Sequence, residues 1–252
     1  MSWRATEFEF QNRFWIISGI FYLGFSCYIW DRMNVCVAVA RAVLGGLNSP
    51  LAGIWIRTIL AVGVLIVTLA ALVRSWAEAY LHSSVVHDSR LHSDRLVADG
   101  PYRYLRNPLY LGNILLAVGM VPMASRTGSL VLVLATVPFV FRLILREEAG
   151  LLASQGDSYR RYFEAVPRLW PSLRPRAPAG GGRPNWVDGF VGETCMWGLA
   201  IGMAVFDVTL RLAHFWIIMG TGFAVYFVQA WVRKRRAGSV WPLSASWRKP
   251  HS

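Results

Sequence analysis

The densest group of polar and aromatic residues lies at positions 99–112, where the sequence reads DGPYRYLRNPLYLG. Because a proline disfavours the helical conformation of the residue before it, no helix continues through Asn107, and the pattern predicts a helix that begins at Pro108. The free N–H groups of its first turn could hold a carboxylate. The alternative is an interfacial belt, since Tyr and Arg also collect at lipid headgroups.

A second candidate group is the pair of adjacent carboxylates Glu147 and Glu148, which follows Arg146 at the end of an apolar stretch. The helix dipole disfavours carboxylates at a helix C-terminus, so two in a row indicate a cationic partner. That partner is either Arg106 or Arg146, which would make the pair structural, or a positively charged ligand.

The histidines and cysteines do not predict a metal site. Three histidines recur every five residues, which rotates successive side chains by about 140° on a helix, so they do not share a face. The three cysteines have neither disulfide nor zinc spacing. These residues are His82, His87, His92, Cys27, Cys36 and Cys195.

Apolar helices must position these groups. The chain has 252 residues, of which 55% are hydrophobic, and its mean hydropathy is +0.39. A membrane-spanning helix needs about 20 apolar residues, and six stretches qualify or nearly qualify: 14–30, 51–73, 109–125, 129–145, 190–208 and 212–232. A signal peptide is the alternative for the first stretch, but Glu7 and Glu9 and the lack of a small-x-small cleavage site argue against it. The fold class is therefore an all-α, polytopic membrane helical bundle with about six spans.

The basic residues set the orientation. Of the 26 Lys and Arg residues, 21 lie on one side of the predicted membrane, counting Arg142 near the inner end of the fourth stretch, and 4 lie in the loops on the other side. This is the positive-inside pattern, so both termini and the two large polar segments are expected in the cytoplasm. The net charge of +12 then indicates contact with anionic lipid headgroups and no nucleic-acid partner.

Arg57, within the second span, is either functional or snorkels to the outer interface, and Glu193, near the end of the fifth, has the same alternatives.

Composition also divides the chain. Residues 167–184 contain five prolines and the run of three glycines at 180–182, which indicates a linker. We expect a core at 1–176, a linker at 177–184 and a C-terminal helical hairpin with a basic tail at 185–252. Gly198 and Gly202 form a G-x-x-x-G step, which favours close helix packing within the chain over dimerisation.

The two polar groups together resemble the isoprenylcysteine carboxyl methyltransferase and phospholipid methyltransferase families. The shared pattern is Gly-Pro-Tyr, then Arg-His-Pro-x-Tyr-x-Gly, a helical hairpin, Glu-Glu, and finally Tyr-x-x-Tyr and Val-Pro-Arg. The corresponding residues cover about 95–171: Gly100-Pro101-Tyr102, Arg106-Asn107-Pro108-Leu109-Tyr110-Leu111-Gly112, Glu147-Glu148, Gly156, Tyr159, Tyr162 and Val166-Pro167-Arg168.

The resemblance implies a membrane-embedded methyltransferase that uses S-adenosylmethionine at the cytoplasmic end of the third and fourth helices. Arg106, Glu147 and Tyr110 would carry the catalysis. The cofactor site would comprise Tyr102, Arg106, Asn107, Pro108, Tyr110, Gly112, Glu147, Glu148, Tyr159, Tyr162 and Arg168. Asn107 replaces the usual histidine and cannot be protonated, which leaves any acid–base role at this position in doubt.

The chemistry of these residues fits the cofactor. Glu147 or Glu148 can take its ammonium group or ribose hydroxyls, and Arg106 with the following helix N-terminus can take its carboxylate. The tyrosines Tyr102, Tyr104 and Tyr110 offer faces for adenine or the sulfonium cation. Methyl transfer is an in-line displacement, so positioning of the reactants should dominate catalysis.

The expected acceptor is lipophilic and enters from the bilayer, past apolar residues of the third and fourth spans: Leu115, Leu116, Val118, Met120, Val137, Phe139 and Phe141. A carboxyl or thiol acceptor resembling an isoprenylated cysteine is placed ahead of a phospholipid amine on the strength of the resemblance. Two other classes are an NADPH-dependent oxidoreductase resembling sterol reductases and a non-catalytic membrane scaffold. Stabilisation of the purified protein by one cofactor or the other would distinguish them.

Overall fold

The protein is all-helical in the part of the chain that the computed structural model describes, residues 3–86 and 98–236. Nine α-helices follow in order: α1 Glu7–Gln11, α2 Arg13–Ser26, α3 Val35–Leu44, α4 Pro50–Val86, α5 Pro108–Met120, α6 Arg126–Ala165, α7 Trp186–Gly192, α8 Thr194–Thr209 and α9 Leu212–Arg236. Short 3-10 turns occupy Cys27–Ile29, Gly100–Arg103 and Val121–Met123. The predicted all-α fold is confirmed for these residues.

Within residues 3–86 and 98–236, three helices are long and apolar enough to cross a membrane: Leu51–Leu81, Arg126–Ala165 and Leu212–Val232. A fourth span is possible if the pair Trp186–Gly192 and Thr194–Thr209, bent by 66°, counts as one. The predicted first and third spans correspond to shorter apolar helices, Arg13–Ile29 and Pro108–Met123. Six spans and cytoplasmic termini therefore stay predictions, whereas helices able to span a membrane are present.

α5 packs between α4 and α6, and α2 packs on α6, while α4 also packs against α3, α7 and α8. Proline occupies the first helical position, which confirms the predicted helix start at Pro108. At the opposite end of the α5–α6 pair, the Asp31 carboxylate accepts hydrogen bonds from Arg126 Nη2, at 2.9 Å, and from the backbone N–H of Thr127, at 2.9 Å. This carboxylate satisfies a donor at the start of α6, where the helix dipole favours negative charge.

The C-terminal hairpin packs on the core. Met203 of α8 and Phe215 of α9 are buried in the same apolar cluster as Val67 of α4 and Met120 of α5. A Cβ atom added at Gly198 would lie 3.4 Å from the Cα of Gly222 in α9, so the predicted small-residue step packs within the chain.

Residues 177–184, predicted as a linker, contain no helix and contact the turn before α5. The Asp99 carboxylate accepts hydrogen bonds from the backbone N–H groups of Gly180 and Gly182, at 2.7 and 2.8 Å. Arg103 Nε donates to the carbonyl of Ala177 at 3.0 Å. The division into core, linker and hairpin stays a prediction, but the linker is bound to the core at these points.

Several sequence predictions concern residues at the margins of the described structure. His87, His92 and the tail after Arg236 lie outside the described residues, as does the side chain of His82. Among the residues that are described, no three His, Cys, Asp or Glu side chains are grouped so as to hold a metal ion. Arg57 donates through Nη1 to the carbonyl of Asp207 at 2.8 Å, which ties α4 to the C-terminal end of α8.

Candidate active site

Six of the eleven predicted cofactor residues line one cavity of about 1350 Å³. These are Tyr102, Arg106, Asn107, Pro108, Tyr110 and Glu147. The segment from the Gly100–Arg103 turn to the first turn of α5 supplies five of them, and α6 supplies Glu147. The structure therefore brings the two polar groups of the sequence together at one end of the cavity.

Glu147 and Tyr110 form the cavity-facing pair of this polar end. Tyr110 is 9% exposed, and its hydroxyl is close enough to the Glu147 carboxylate to interact with it. Arg13 of α2 also lines the cavity and is the nearby positive charge. Glu147 is thus a partly buried carboxylate that lies beside one tyrosine and lines the cavity.

Glu148 has a different environment, because its carboxylate is enclosed by cationic and amide groups. Its Oε1 lies 3.1 Å from Arg106 Nη2, and its Oε2 lies 2.9 Å from Arg168 Nη2. Asn107 Nδ2 also donates to Glu148 Oε1, at 3.2 Å. The side chains of Glu148 and Arg106 are 4% and 6% exposed, whereas that of Arg168 is 36% exposed. We call these four residues, Arg106, Asn107, Glu148 and Arg168, the Glu148 cluster; the carboxylate at its centre is buried.

The remaining aromatic residues of the motif support the Glu148 cluster and do not line the cavity. Tyr159 and Tyr162 are buried with Val166 and Ala177, and the Tyr162 hydroxyl donates to the carbonyl of Tyr102 at 2.8 Å. They reach this position because α6 bends at Gly156, whose φ of 54° and ψ of −128° suit a residue without a side chain. The predicted roles of Tyr159 and Tyr162 in closing the site correspond, in the structure, to holding the Gly100–Arg103 turn.

Burial shifts the titration of two residues in this region. It raises the pKa of the Tyr102 hydroxyl above its ordinary value, and the negative charges of Glu78 and Glu147 add to that shift. It lowers the pKa of the Arg106 guanidinium, while the Glu148 carboxylate opposes the change. The Arg106 guanidinium stacks on Phe163, with its carbon 3.8 Å from the ring centroid, and donates to the Phe163 carbonyl. Its Nε is buried without a hydrogen-bond partner among the described residues.

Gly112 has a role that the sequence did not reveal. Gly112 does not line the cavity. The side chain of Arg74 occupies the space beside it, since a Cβ atom added at Gly112 would clash with Cγ of Arg74. The glycine therefore provides space for Arg74 of α4 to cross α5 and reach the polar end of the cavity. The prediction that Gly112 lines the cofactor site is corrected accordingly.

Arg74, Asn113 and Glu193 are cavity residues that sequence reasoning missed as a group. Arg74 Nε and Nη2 donate to the two carboxylate oxygens of Glu193, both at 2.8 Å. Arg74 Nη1 donates to Asn113 Oδ1 at 2.9 Å and to the Leu109 carbonyl at 3.1 Å. The sequence does offer one signal for this pair. Arg74 comes directly after the second predicted span, and Glu193 lies at the start of the fifth, on the same predicted side of the membrane.

Beyond its polar end the cavity is an apolar groove. Leu116 and Met120 of α5 contribute to its lining, as predicted for the acceptor path, but α6 contributes only Glu147, and Val137, Phe139 and Phe141 lie elsewhere. The other apolar lining comes chiefly from α2 and from the C-terminal helices α8 and α9. The entry path of an acceptor stays a prediction; the cavity itself runs along α5, and its other walls come from helices other than α6.

Comparisons with known proteins agree with the motif. The family model for phospholipid methyltransferases matches residues 56–155. Protein-S-isoprenylcysteine O-methyltransferase of Schizosaccharomyces pombe is 35% identical over 92 residues, which cover 36% of this chain and 39% of that protein. The predicted resemblance is confirmed over this part of the chain.

Two bacterial relatives match a longer segment. The cobalt-zinc-cadmium resistance protein CzcN of Cupriavidus metallidurans is 27% identical over 146 residues, covering 58% of this chain and 63% of that protein. The nickel-cobalt-cadmium resistance protein NccN of Alcaligenes xylosoxydans xylosoxydans is 32% identical over 150 residues, covering 58% and 64%. The chain thus spans less than two thirds of the length of these curated relatives. No solved structure matches significantly.

Proposed function

We propose that this chain is an integral membrane methyltransferase that uses S-adenosylmethionine and methylates a lipophilic, membrane-associated acceptor. The observation that carries the proposal is the convergence of Arg106, Tyr110 and Glu147 at the polar end of a cavity that continues as an apolar groove. All three residues lie in the segment that the phospholipid methyltransferase family matches.

The residues at the polar end fit the cofactor chemically. Glu147 would accept hydrogen bonds from its ammonium group or ribose hydroxyls, and the Tyr110 hydroxyl lies beside this carboxylate. Arg106 would take the cofactor carboxylate, since its buried Nε–H lacks a partner among the described residues. When bound, the cofactor supplies an electrophilic methyl group on a sulfonium centre. The apolar groove excludes water from the acceptor, and the fixed polar end orients it, which is the main requirement of an in-line displacement.

For the acceptor we place a carboxyl or thiol group resembling that of an isoprenylated cysteine ahead of a phospholipid amine. The yeast relative carries the name of an isoprenylcysteine O-methyltransferase, which supports this order. A carboxylate is ionised at neutral pH and needs no base. The Asn107 amide, which replaces the family histidine, donates to Glu148 and to the Arg168 carbonyl, so it has a structural task.

We further propose that the chain crosses the membrane six times and that the polar end of the cavity faces the cytoplasm. The uneven distribution of Lys and Arg supports this orientation. A reporter fused after Ser252 should be active in the cytoplasm. A reporter active on the other side of the membrane would contradict the proposed position of the C-terminus.

The function is tested by incubating purified protein in nanodiscs with radiolabelled S-adenosylmethionine and a prenylated cysteine analogue or phosphatidylethanolamine. We expect label in the prenylated analogue that base releases as methanol, because base hydrolyses a methyl ester. Base-stable label in phosphatidylethanolamine would support the amine alternative instead. Absence of transfer to either acceptor, or to lipids of the native membrane, by protein that is folded by its melting curve would contradict the proposal.

A further inference from the structure

The C-terminal hairpin, α7 to α9, lies outside the segment matched by the methyltransferase family, which ends at residue 155. Nevertheless it forms one wall of the groove that begins at the predicted reaction site. Its apolar lining residues include Met196, Leu199 and Phe206 of α8 and Phe215, Met219 and Phe223 of α9. The groove is therefore completed by a part of the chain that the matched segment does not contain.

The groove has two walls and a floor. Ile17, Phe21 and Phe25, on one face of α2, form the wall opposite the hairpin, and Asn113, Leu116 and Met120 of α5 line the floor. Along α9 the lining extends from Tyr226 near the polar end to Leu212. The 14 helical steps between these two residues correspond to about 21 Å of helix, which exceeds half of the hydrocarbon thickness of a bilayer, about 15 Å.

One ion pair fixes the hairpin wall at the reacting end. Glu193 lies at the bend between α7 and α8, its side chain is 5% exposed, and both its oxygens accept from Arg74. Arg74 in turn donates to Asn113 and to the Leu109 carbonyl in the first turns of α5. The wall of the groove and the helix that carries Tyr110 are therefore joined through a single guanidinium.

We propose that the C-terminal hairpin selects the methyl acceptor by the length of its hydrocarbon tail, which lies between α2 and the α8–α9 wall. This inference rests on the proposed methyl transfer. The occupant is the tail of the acceptor because the groove is continuous with the polar end that would hold the reacting group, and because its lining beyond Asn113 is mainly apolar, with Ser18, Ser26, Tyr28 and Asn34 as the polar exceptions on the α2 side. A tail gains about 0.8 kcal/mol for each methylene that it buries there.

Bulky substitutions at mid-groove positions test the proposal. Met219 lies seven residues from Tyr226 along α9, about 10 Å, and Leu199 lies six residues from Glu193 along α8, about 9 Å. Met219→Trp and Leu199→Trp should block the groove at that depth. Ile217→Trp and Ile201→Trp are matched controls, because both residues are outward-facing, 65% and 51% exposed, and do not line the cavity.

The measurement is kcat/KM of the full chain in nanodiscs for a long-chain and a short-chain prenylated cysteine analogue. Each groove variant should lower the long-to-short ratio at least about tenfold, equivalent to about 1.4 kcal/mol, whereas the control variants should keep the wild-type ratio. Met219→Ala, which adds no volume, should lower the ratio about threefold through lost contacts, and Ile217→Ala should not.

Two failures are distinguishable. If the wild-type chain binds no S-adenosylmethionine and methylates no acceptor, the proposed function fails. If the wild type is active but the groove variants, including Met219→Ala, keep its chain-length ratio, or the control variants change that ratio equally, tail selection by the hairpin is wrong while the methyltransferase remains.

Discussion

Glu147 and Glu148 are neighbours on α6, yet their carboxylates have different surroundings. The Glu148 carboxylate is enclosed by Arg106, Arg168 and Asn107 and is 4% exposed. The Glu147 carboxylate lies beside the Tyr110 hydroxyl and lines the cavity. Adjacent helical residues point about 100° apart, so within one turn of helix one carboxylate is directed into the fold and the next toward the cavity.

The comparison shows how one Glu-Glu motif can serve two purposes. The Glu148 cluster joins the middle of α6 to the segment before α5 and to the segment after α6. The cavity end has carboxylates on two walls, Glu147 beside Tyr110 and Glu193 beside Arg74. Substitutions in the two regions should therefore separate stability from binding.

The largest effect is expected from Glu148→Ala. Removing this carboxylate leaves the buried guanidinium of Arg106 without its main counter-charge, and breaking such a buried pair from one side costs about 3–5 kcal/mol. Thermal denaturation in detergent should show a marked loss of stability, whereas Glu164→Ala, at an exposed position near the end of the same helix, should melt like the wild type. Equal melting midpoints for Glu148→Ala and Glu164→Ala would contradict the structural role of Glu148.

Glu147→Gln should have the opposite signature. Loss of a charged hydrogen bond is worth about 1.5–3 kcal/mol, so the affinity for S-adenosylmethionine should fall roughly 10- to 150-fold while the melting midpoint stays near that of the wild type. Tyr110→Phe, which keeps the ring but removes the hydroxyl beside Glu147, should lower the affinity for S-adenosylmethionine less than Glu147→Gln does. A melting midpoint of Glu147→Gln well below that of the wild type would indicate that Glu147, like Glu148, has a structural role.

Glu193→Gln tests the second carboxylate of the cavity. Because Glu193 holds the hairpin wall and would not touch the cofactor, we expect a roughly 3- to 10-fold rise in KM for a long-chain acceptor, with cofactor affinity within about twofold of the wild type. Arg74→Lys should behave similarly, since lysine keeps the charge but loses the two-pronged contact. Loss of cofactor affinity in both variants, with KM unchanged, would assign the pair to the cofactor instead.

The smallest effect on ligands is expected at Asp31, at the opposite end of α5 and α6. Hydrogen bonds from Arg126 and Thr127 lower the pKa of Asp31 to about 2. A lowered carboxyl pKa stabilises the fold above its ordinary value of about 3.9 and loses that effect as the pH falls toward the folded value. Asp31→Asn should therefore have a lower melting midpoint than the wild type at neutral pH. This difference in melting midpoint should narrow between about pH 4 and pH 2, and the cofactor affinity should not change. A difference independent of pH would contradict the assigned ion pair.

Local sequence rules predicted the parts of this site that depend on neighbouring residues. The Asn107-Pro108 step determined where α5 begins, and the motif order identified the family resemblance. Which of Glu147 and Glu148 faces the cavity depends on which face of α6 packs against the loop after it, and local sequence does not contain that information. The contact of Arg74 with Glu193 joins residues 119 positions apart, and the groove wall comes from a hairpin whose apolar pattern is the same against lipid or against a ligand.

The most direct test of the account is titration calorimetry of the full chain in detergent with S-adenosylmethionine and, separately, with NADPH. We predict saturable one-to-one binding of S-adenosylmethionine, no binding of NADPH, and at least tenfold weaker S-adenosylmethionine binding in folded Glu147→Gln, with Asp31→Asn binding like the wild type. Wild-type affinity in Glu147→Gln, or saturable binding of NADPH in place of S-adenosylmethionine, would contradict the assignment of this cavity as the cofactor site of a methyltransferase.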